Sequence, residues 1–496
     1  MDLSSISNDS NIPSSGEACV AIVGLGFSGV ATALHLLRGL PPGATLHLLE
    51  RGDSAGRGVA YGTRCDSHLL NVPAGRLGWD PADEASFLAW LTERGTTDPQ
   101  GQPLAAADFA PRRLLGSYLE HGLTQAIDAA RARGVRVRSG LPGVTGLVRQ
   151  GPCWRLQLSD GSTLSASQVV LATGHLPPAR PPVTDAASGD SAWQAPGWFA
   201  DPWAQPAWCE LPAEADVLLL GSGLTAIDMV TQLRDQGHRG RITMLSRRGL
   251  LPQPHRVLEA RPRPGLSPIS ELGPDLKLRL VLRAVRRWVA EAEADGRDWR
   301  DVMASLRSCT PKLWQRLTVR DRRQFLRHVQ PWWDTHRHRL APVLWQALQD
   351  DMAAGRVASV AGRLRHAEQL ADGRWALQWQ PRGSAEIQGA EVHAIINCTG
   401  PTSSLRHATD PLLASLRERG MLSADALGLG LLTDTQHRPL DSSGVAVEDL
   451  FYIGPMLKAQ HWEATAIPEL RQHAAQTAQA VLAEYAVRCQ VERAAA

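Results

Sequence analysis

Two glycine-rich segments of this 496-residue chain have the residue types and spacing that hold nucleotide phosphates. In the first, an apolar run leads into Gly24, Gly26 and Gly29, and Glu50 ends the next apolar run. Such glycines allow a tight turn and close approach to a pyrophosphate, and the helix that follows offers unpaired N–H groups. An acid at the position of Glu50 accepts hydrogen bonds from ribose hydroxyls. The segment predicts a dinucleotide-binding βαβ unit.

The second segment repeats this order with a different charge. An apolar run leads into Gly221 and Gly223, and Ala226 stands in place of the third glycine. The next apolar run ends in Arg247 and Arg248 rather than in an acid. Because a guanidinium forms charge-assisted hydrogen bonds with a 2′-phosphate, which an acid would repel, this site predicts NADPH. The first site is left for a nucleotide with free ribose hydroxyls.

The elements around these turns also repeat. Each turn is followed by an antiparallel meander and by a buried strand that ends in Thr-Gly, at Thr173 and at Thr399. The repeat predicts an α/β fold with two Rossmann-like, doubly wound dinucleotide-binding domains, one nested in the other, and a helical insertion. The predicted boundaries are a disordered tail at 1–16, the first domain at 17–177 and 406–496, a proline-rich linker at 178–213, the second domain at 214–264 and 351–405, and the helical insertion at 265–350.

Three stretches carry local expectations. The glycine density of residues 51–63 predicts a loop, and residues 69–75 form a second irregular segment. Both segments could line a cofactor. The prolines of residues 175–213 predict a linker without regular structure. Residues 464–490 predict a long helix that returns the chain to the first domain.

Composition narrows the classes of partner. A net charge of +2 gives no electrostatic reason to expect nucleic acid or an anionic membrane. The seven cysteines are scattered without a C-x-x-C pair, which favours a reducing cytoplasm over an oxidising compartment. No apolar run approaches the roughly 18 residues of a membrane span. We expect a cytoplasmic protein with a small-molecule substrate, and the sequence leaves the oligomeric state open.

The densest part of the helical insertion is residues 325–339, which are rich in Trp, His and Arg. His336 and His338 do not share a helical face and no cysteine joins them, so no metal site is predicted. Interleaved Arg and Trp side chains are also compatible with nucleic-acid binding. The favoured interpretation is a structural cluster in which Asp334 pairs with nearby arginines and the tryptophans pack, with some residues at the rim of a substrate cleft.

With these residues, the chain resembles the two-dinucleotide-binding flavoproteins, and more narrowly the bacterial FAD/NAD(P)-binding oxidoreductases related to class B flavin-dependent monooxygenases. The resemblance lies in residues 56–63, 68–74, 333–339 and 464–469. It implies FAD at the Gly24 site, NADPH at the Gly221 site, and isoalloxazine contacts from the Asn71 loop and the Gly454 turn. Pro455 follows Gly454, where many members of the class have an acid.

The candidate cofactor-binding residues divide between the two sites, with Asn71 as the candidate nearest the reacting ring and no catalytic side chain assigned. For the first site they are Gly24, Gly26, Phe27, Ser28, Gly29, Glu50, Arg51, Arg57, Gly58, Asn71, Val72, Val137, Thr173, Gly174, Gly454 and Pro455. For the second site they are Gly221, Ser222, Gly223, Leu224, Thr225, Ser246, Arg247, Arg248, Thr399 and Gly400.

The resemblance implies an FAD-dependent NADPH oxidoreductase, with three hypotheses for its activity. The first is a monooxygenase that uses a flavin C4a-(hydro)peroxide and dioxygen to oxygenate a small molecule by N-hydroxylation or Baeyer–Villiger chemistry. The second is a dehydrogenase or reductase that passes electrons from NADPH to another acceptor. The third is a flavin-holding sensor or nucleic-acid-binding protein. The lack of a C-x-x-C motif argues against a disulfide reductase.

Overall fold

A computed structural model describes residues 18–52, 55–181, 192–203, 206–257, 272–273 and 276–495 of the chain. The tail predicted at 1–16 and part of the predicted linker lie outside these residues. The strands are β1 Cys19–Val23, β2 Thr45–Leu49, β3 Arg136–Leu141, β4 Val144–Gln150, β5 Cys153–Leu158, β6 Thr163–Ala166, β7 Gln168–Leu171, β8 Leu176–Pro178, β9 Trp198–Phe199, β10 Val217–Leu220, β11 Ile242–Ser246, β12 Val357–Gln369, β13 Trp375–Pro381, β14 Gln388–Val392, β15 Ala394–Asn397, β16 Pro401–Thr402 and β17 Leu450–Tyr452.

The helices connect and cover these strands. A π-helical turn at Phe325–Val329 lies between the helices Val319–Gln324 and Gln330–Arg337. The helices are α1 Phe27–Gly39, α2 Gly58–Tyr61, α3 Ser86–Glu93, α4 Arg112–Ala132, α5 Leu224–Asp235, α6 Leu278–Ala294, α7 Trp299–Arg307, α8 Thr310–Arg316, α9 Val319–Gln324, α10 Gln330–Arg337, α11 Pro342–Ala353, α12 Pro411–Glu418 and α13 Ile467–Ala495. None of the described helices is long and apolar enough to cross a membrane.

The first sheet is parallel and has the order β17-β7-β1-β2-β3. Strands β1, β2, β7 and β17 are buried on both faces, as is typical of parallel sheets covered by other elements, whereas the edge strand β3 is partly exposed. One face packs on α1, α4 and α13, and the other packs on the β4-β5-β6 meander and α12. The glycine turn after β1 therefore lies at the carboxyl edge of a rigid sheet, where nucleotides bind in such folds.

The second sheet has the order β14-β13-β12-β11-β10-β15-β9. Its parallel part runs from β9 to β12, and β13 and β14 add an antiparallel extension. The chain enters this sheet after β7 and returns to the first sheet with β17, so the second domain is nested within the first. The short antiparallel pair β8-β16 joins the segment that leaves the first sheet after β7 to the segment that leaves the second sheet after β15. The predicted nested α/β architecture is confirmed.

The structure differs from three local expectations. Within the predicted loop at 51–63, Gly58–Tyr61 form the helical turn α2, whose first residue, Gly58, has a φ of +51°. Strand β9 lies within the stretch predicted to lack regular structure and forms the edge of the second sheet. Helix α11 packs in the core of the second sheet through Leu348, although most of it lies in the range assigned to the insertion.

The helical insertion has its own apolar core. Helices α6 to α10 pack around buried residues such as Trp288 and Trp314, and Trp462 joins them from the C-terminal part of the chain. The insertion is thereby attached to the segment that follows the Gly454 turn.

Candidate functional site

The first glycine turn joins β1 to α1. Gly24 has a φ of +95°, and a Cβ there would lie 2.4 Å from the Ala172 oxygen. A Cβ at Gly29 would lie 1.9 Å from the Gly24 oxygen. By contrast, a Cβ at Gly26 would meet no described atom closer than the Gly58 Cα at 3.8 Å. Packing thus requires two of the glycines, whereas the third leaves open space beside the N-terminus of α1, where anions bind favourably.

The predicted acid lies against this turn. One carboxylate oxygen of Glu50 accepts a hydrogen bond from the N–H of Leu25, and the other accepts from the N–H groups of Arg51, at 2.7 Å, and Gly52, at 3.2 Å. The side chain of Arg51 forms an ion pair with Asp410 at the start of α12. The carboxylate is therefore held beside the glycine turn by backbone groups, and Arg51 points to another element.

Helix α2 covers the same turn. A Cβ at Gly58 would lie 3.2 Å from the Gly26 Cα, so the close approach of the two backbones favours glycine at position 58. Arg57 forms an ion pair with Glu120 of α4 at 2.9 Å. Phe27 and Ser28 are buried as the first residues of α1. These candidates lie together around one turn.

The loop of Asn71 contacts the second domain. The Asn71 carbonyl accepts a hydrogen bond from His255 Nε2 at 2.9 Å, and the His255 ring lies 4.9 Å from the ring of Phe109. Burial, with a contribution from Arg339, lowers the pKa of His255 to about 3, so its imidazole is neutral. Val72 packs against the core of the first domain. Sequence reasoning missed His255, which no motif marks.

Two pairs of candidates for the first site, Thr173 with Gly174 and Gly454 with Pro455, are adjacent because they follow the paired strands β7 and β17. Gly174 has a φ of +69° and open space beside it. Gly454, with a φ of +139°, packs on the hydroxyl of Tyr452, which accepts a hydrogen bond from the N–H of Met456 at 3.2 Å. Thr173 with Gly174 and Gly454 with Pro455 therefore lie side by side at the carboxyl edge, next to Gly24.

Val137 is not brought to this edge. It pairs with Leu46 inside the sheet, its side chain is buried, and its carbonyl accepts a hydrogen bond from Arg131 at 2.9 Å. The carboxyl end of β3 is Leu141, whose carbonyl accepts from the N–H of Glu50 at 3.1 Å. The residues around Leu141 are thus the part of β3 that lies near the glycine turn.

The second turn has almost the geometry of the first. Gly221 has a φ of +121°, and a Cβ there would lie 2.3 Å from the Cys398 oxygen. Its N–H donates to Leu245 at 2.8 Å, which is the distance from the Gly24 N–H to Leu49. Gly223 again has open space beside it, at the N-terminus of α5 with Leu224 and Thr225 as its first residues. The two turns are structural copies.

Serine side chains close the second turn. The hydroxyl of Ser222 lies 2.8 Å from Ser246 Oγ and 2.7 Å from the Leu250 carbonyl. Ser246 Oγ also accepts a hydrogen bond from the N–H of Gly249 at 3.0 Å. Thr399 donates to the Asn397 side chain at 2.7 Å, and Gly400, with a φ of +84°, has open space beside it.

Arg247 and Arg248 open into a basic cavity of about 490 Å³ at the carboxyl end of β11. Arg248 also donates to the Arg327 carbonyl of the insertion at 3.1 Å. None of the described residues that line the cavity is acidic. The lining arginines are Arg247, Arg248, Arg327, Arg363, Arg365 and Arg382, and His328 lies among them. This charge suits a phosphate group.

The comparison with known proteins agrees with this geometry. Residues 21–176 match a family model described as FAD-NAD(P)-binding. The chain is similar to the ornithine N-hydroxylase of Kutzneria sp. 744, with a TM-score of 0.60 and 16% identity over 95% of this chain and 99% of that chain. It is also similar to L-lysine 6-monooxygenase from Pseudomonas syringae, with a TM-score of 0.56 and 18% identity over 95% of this chain and 99% of that chain. A third similar structure is thioredoxin reductase from Lactococcus lactis, with a TM-score of 0.50 and 13% identity over the same shares of the two chains. A search of curated protein sequences finds no match.

The chain has the fold of the two-dinucleotide-binding flavoproteins. The predicted fold class is confirmed by solved structures that cover nearly its whole length. The residues around the first turn fit FAD, since Gly26 leaves space at a helix N-terminus and Glu50 offers a carboxylate.

A buried ion pair joins the two domains of the chain. Arg112, at the start of α4, lies 2.8 Å from the carboxylate of Asp228 in α5. Burial raises the pKa of Asp228 to about 6, although Arg112 opposes the shift. Arg112 also donates to the Leu69 carbonyl at 3.0 Å, and His68 Nε2 lies 3.0 Å from the Asp228 carbonyl. The sequence carries no signal for these contacts, because their residues are far apart in the chain.

The insertion is tied to the C-terminal segment by a second set of charges. Arg337 forms an ion pair with buried Glu463 at 2.9 Å, and Glu463 also accepts from Trp333 Nε1 at 3.2 Å. The expected pairing of Asp334 with nearby arginines is therefore wrong for Arg337, since Glu463 is its partner. Asp334 instead accepts from Gln330 and lies 4.0 Å from His338.

Proposed function

We propose that this flavoprotein is an FAD-dependent NADPH monooxygenase that oxygenates a small molecule, with N-hydroxylation of a primary amine as the favoured reaction. The observation that carries the proposal is the opposite charge of its two copied turns. Glu50 lies at the first turn, and the basic cavity of Arg247 and Arg248 lies at the second.

The charges assign one cofactor to each turn. A carboxylate beside the first turn accepts ribose hydroxyls and repels a 2′-phosphate, which selects FAD there. The guanidinium groups beside the second turn bind a 2′-phosphate bidentately, which selects NADPH there. FAD, when bound, supplies the redox and dioxygen chemistry. The protein residues bind and orient the two nucleotides so that they face each other.

The contact between Asn71 and His255 positions the Asn71 loop, which is the candidate segment beside the reacting ring of FAD. It joins the loop of the first domain to the segment that follows β11, so it limits the gap between the domains. Because His255 is neutral, it donates a hydrogen bond without adding charge beside an oxidised or reduced ring. We assign His255 as a positioning residue for the Asn71 loop.

The names of solved structures that share the fold support this type of reaction. Solved structures that align with at least 94% of this chain are named an ornithine N-hydroxylase, an L-lysine 6-monooxygenase and a cadaverine monooxygenase. N-hydroxylation balances as amine, dioxygen, NADPH and a proton giving hydroxylamine, water and NADP⁺. One oxygen atom enters the substrate and the other leaves as water, with NADPH supplying the electron pair.

The test is NADPH oxidation by the FAD-loaded protein with ornithine, lysine and cadaverine as probe amines. We expect oxidation to require dioxygen and at least one amine to gain one oxygen atom from isotopically labelled dioxygen. A reductase would oxidise NADPH at the same rate under argon with a quinone acceptor. That result, with no oxygenated product from any amine, would overturn the proposal.

Cofactor selection at the second turn is tested separately. Arg247→Ala removes a guanidinium from the basic cavity, so we expect NADPH affinity to fall at least tenfold and NADH affinity to change little, since NADH has no 2′-phosphate. Nucleotide titrations measure both. Arg241→Ala is the matched control. Arg241 precedes β11, whereas Arg247 follows it, so this variant should leave both affinities unchanged.

A further inference from the structure

Three histidines from separate segments converge near the C-terminal part of the first domain. His437 lies in the loop before β17, His461 follows the turn after Gly454, and His473 lies in α13. The ring centroids are 5.9 Å apart for His437 and His461, 5.2 Å for His437 and His473, and 4.8 Å for His461 and His473. One ring nitrogen from each lies within 4.8 Å of the other two.

Two of these rings bury nitrogen atoms that the protein leaves without a partner. His437 is 1% exposed and His473 is 9% exposed. Among the described residues, His437 Nε2 and His473 Nδ1 have no hydrogen-bond partner. A buried polar atom without a hydrogen-bond partner destabilises the fold, and apolar side chains would fill the same space without this cost. The cluster is therefore poorly explained by packing alone.

The surroundings prepare the rings to act as ligands. His437 Nδ1 lies 2.8 Å from the hydroxyl of buried Thr477, one helical turn after His473, which orients the ring and leaves Nε2 free to bind a metal. Such second partners are typical of metal-bound histidines. Burial lowers the pKa of His437 to about 4 and that of His473 to about 3. The rings are thus neutral at pH 7, which is the form that binds metals.

We propose that His437, His461 and His473 bind a divalent transition-metal ion, with Zn²⁺ as the ion that fits best. Imidazole nitrogen is a ligand that Zn²⁺ prefers, and three protein ligands plus water complete a tetrahedron. A tetrahedral ion with Zn–N distances of about 2.1 Å places its ligand atoms about 3.4 Å apart. The ligand atoms, which lie within 4.8 Å of one another, therefore approach each other by up to about 1.4 Å on binding.

The site would fasten three parts of the fold. The ion would connect the loop before β17, the segment that follows the Gly454 turn, and α13. This role is independent of the proposed oxygenation and needs no turnover. No local spacing predicts the site, because the histidines are 24 and 12 residues apart (461 − 437 and 473 − 461).

The test is a titration of tag-free protein with Co²⁺, which replaces Zn²⁺ and absorbs visible light. We expect one Co²⁺ per chain, displacement of Co²⁺ by Zn²⁺, and a higher melting temperature with either ion. His461→Asn and His473→Asn should each lower Co²⁺ affinity at least tenfold, and Thr477→Val should lower it about tenfold. His407→Asn removes an exposed histidine elsewhere and should change nothing.

The Co²⁺ titration still tests the proposal if the variant of buried His473 unfolds, because the His461 variant remains. His461 is half-buried and should tolerate Asn, and circular dichroism verifies the fold of each variant. The proposal is overturned when the wild-type protein binds no Co²⁺, or when folded His461→Asn binds it as tightly as the wild-type protein does.

Discussion

Gly26 and Gly223 occupy equivalent positions in turns of opposite charge. Both have ordinary negative φ values. A Cβ added at Gly26 would have its nearest described atom at 3.8 Å, and a Cβ added at Gly223 would have none within 4 Å. Packing therefore does not require glycine there, in contrast to Gly24 and Gly221. The absence of a side chain at these two positions is explained by the space that a phosphate needs.

This difference gives a reciprocal prediction. Gly26→Ala should fold normally and lower FAD affinity at least tenfold, because the added methyl group occupies the space beside the N-terminus of α1. Gly223→Ala should do the same to NADPH affinity and leave FAD binding intact. Titration of each variant with both nucleotides measures the effect. Equal weakening of both nucleotides in either variant would contradict the assignment of one cofactor to each turn.

His47 makes stability depend on pH. It is fully buried in β2, neither ring nitrogen has a hydrogen-bond partner among the described residues, and burial lowers its pKa to about 4. The unfolded chain takes up a proton below about pH 6.5, whereas the native protein does not until about pH 4. Stability is therefore lost as pH falls through this window, by about 2 kcal/mol at pH 5 from this group.

His47→Leu should remove that contribution. Denaturant unfolding at pH 7.5 and pH 5 measures it, and the variant should lose about 2 kcal/mol less than the wild-type protein between these values. His407→Leu, at an exposed site, is the control and should keep the full pH dependence. An unchanged pH dependence in His47→Leu would show that His47 is not buried in its neutral form.

At the scale of elements, the helical insertion is joined to the rest of the molecule by buried charges. Arg337 of α10 pairs with Glu463, and Arg307 of α7 pairs bidentately with Glu469 at the start of α13. The apolar core of the insertion also includes Trp462. The insertion and the C-terminal segment are therefore one packed unit, although more than 100 residues separate them in the chain.

Removal of one partner of a buried pair should destabilise this unit. Glu463→Gln leaves Arg337 as a buried charge without a counter-charge, so we expect a loss of about 3–5 kcal/mol in the free energy of unfolding. The double variant Arg337→Met with Glu463→Gln should recover much of that loss, because no unpaired charge remains. Urea unfolding of both variants measures the difference. Equal losses in the two variants would contradict this explanation.

At the scale of the whole molecule, the two domains must face each other for a hydride to pass between nucleotides. The pair of Arg112 and Asp228 and the contact of His255 with Asn71 join the domains near the two turns. The antiparallel pair β8-β16 joins the segments that follow β7 and β15. Because the nucleotide sites lie at the edges of different sheets, their relative position depends on these contacts.

Asp228→Asn should slow flavin reduction by NADPH at least tenfold and leave the affinity for each nucleotide almost unchanged. In the wild-type protein the rate should fall as pH decreases through about 6, because protonation of Asp228 weakens the same pair. The variant should lack this pH dependence. Anaerobic stopped-flow measurements give the rates, and Asp66→Asn, in the exposed pair with Arg113, is the matched control. A wild-type rate that does not depend on pH would contradict this role.

The sequence by itself determined both glycine turns, the nested pair of sheets and the opposite charges at Glu50 and Arg247. These features depend on local spacing, because a strand, a glycine turn and a helix are contiguous in a βαβ unit. Val137 was assigned to the first site from its position in the chain, and the register of β3 instead places Leu141 beside Glu50.

Only the tertiary structure decided the contacts between distant segments. His255 with Asn71, Arg112 with Asp228, and the cluster of His437, His461 and His473 have no local pattern. Each depends on how sheets and helices pack, which brings together residues that are 12 to 184 positions apart. Burial then sets their chemistry, since it makes the imidazoles neutral and holds the pKa of Asp228 near 6.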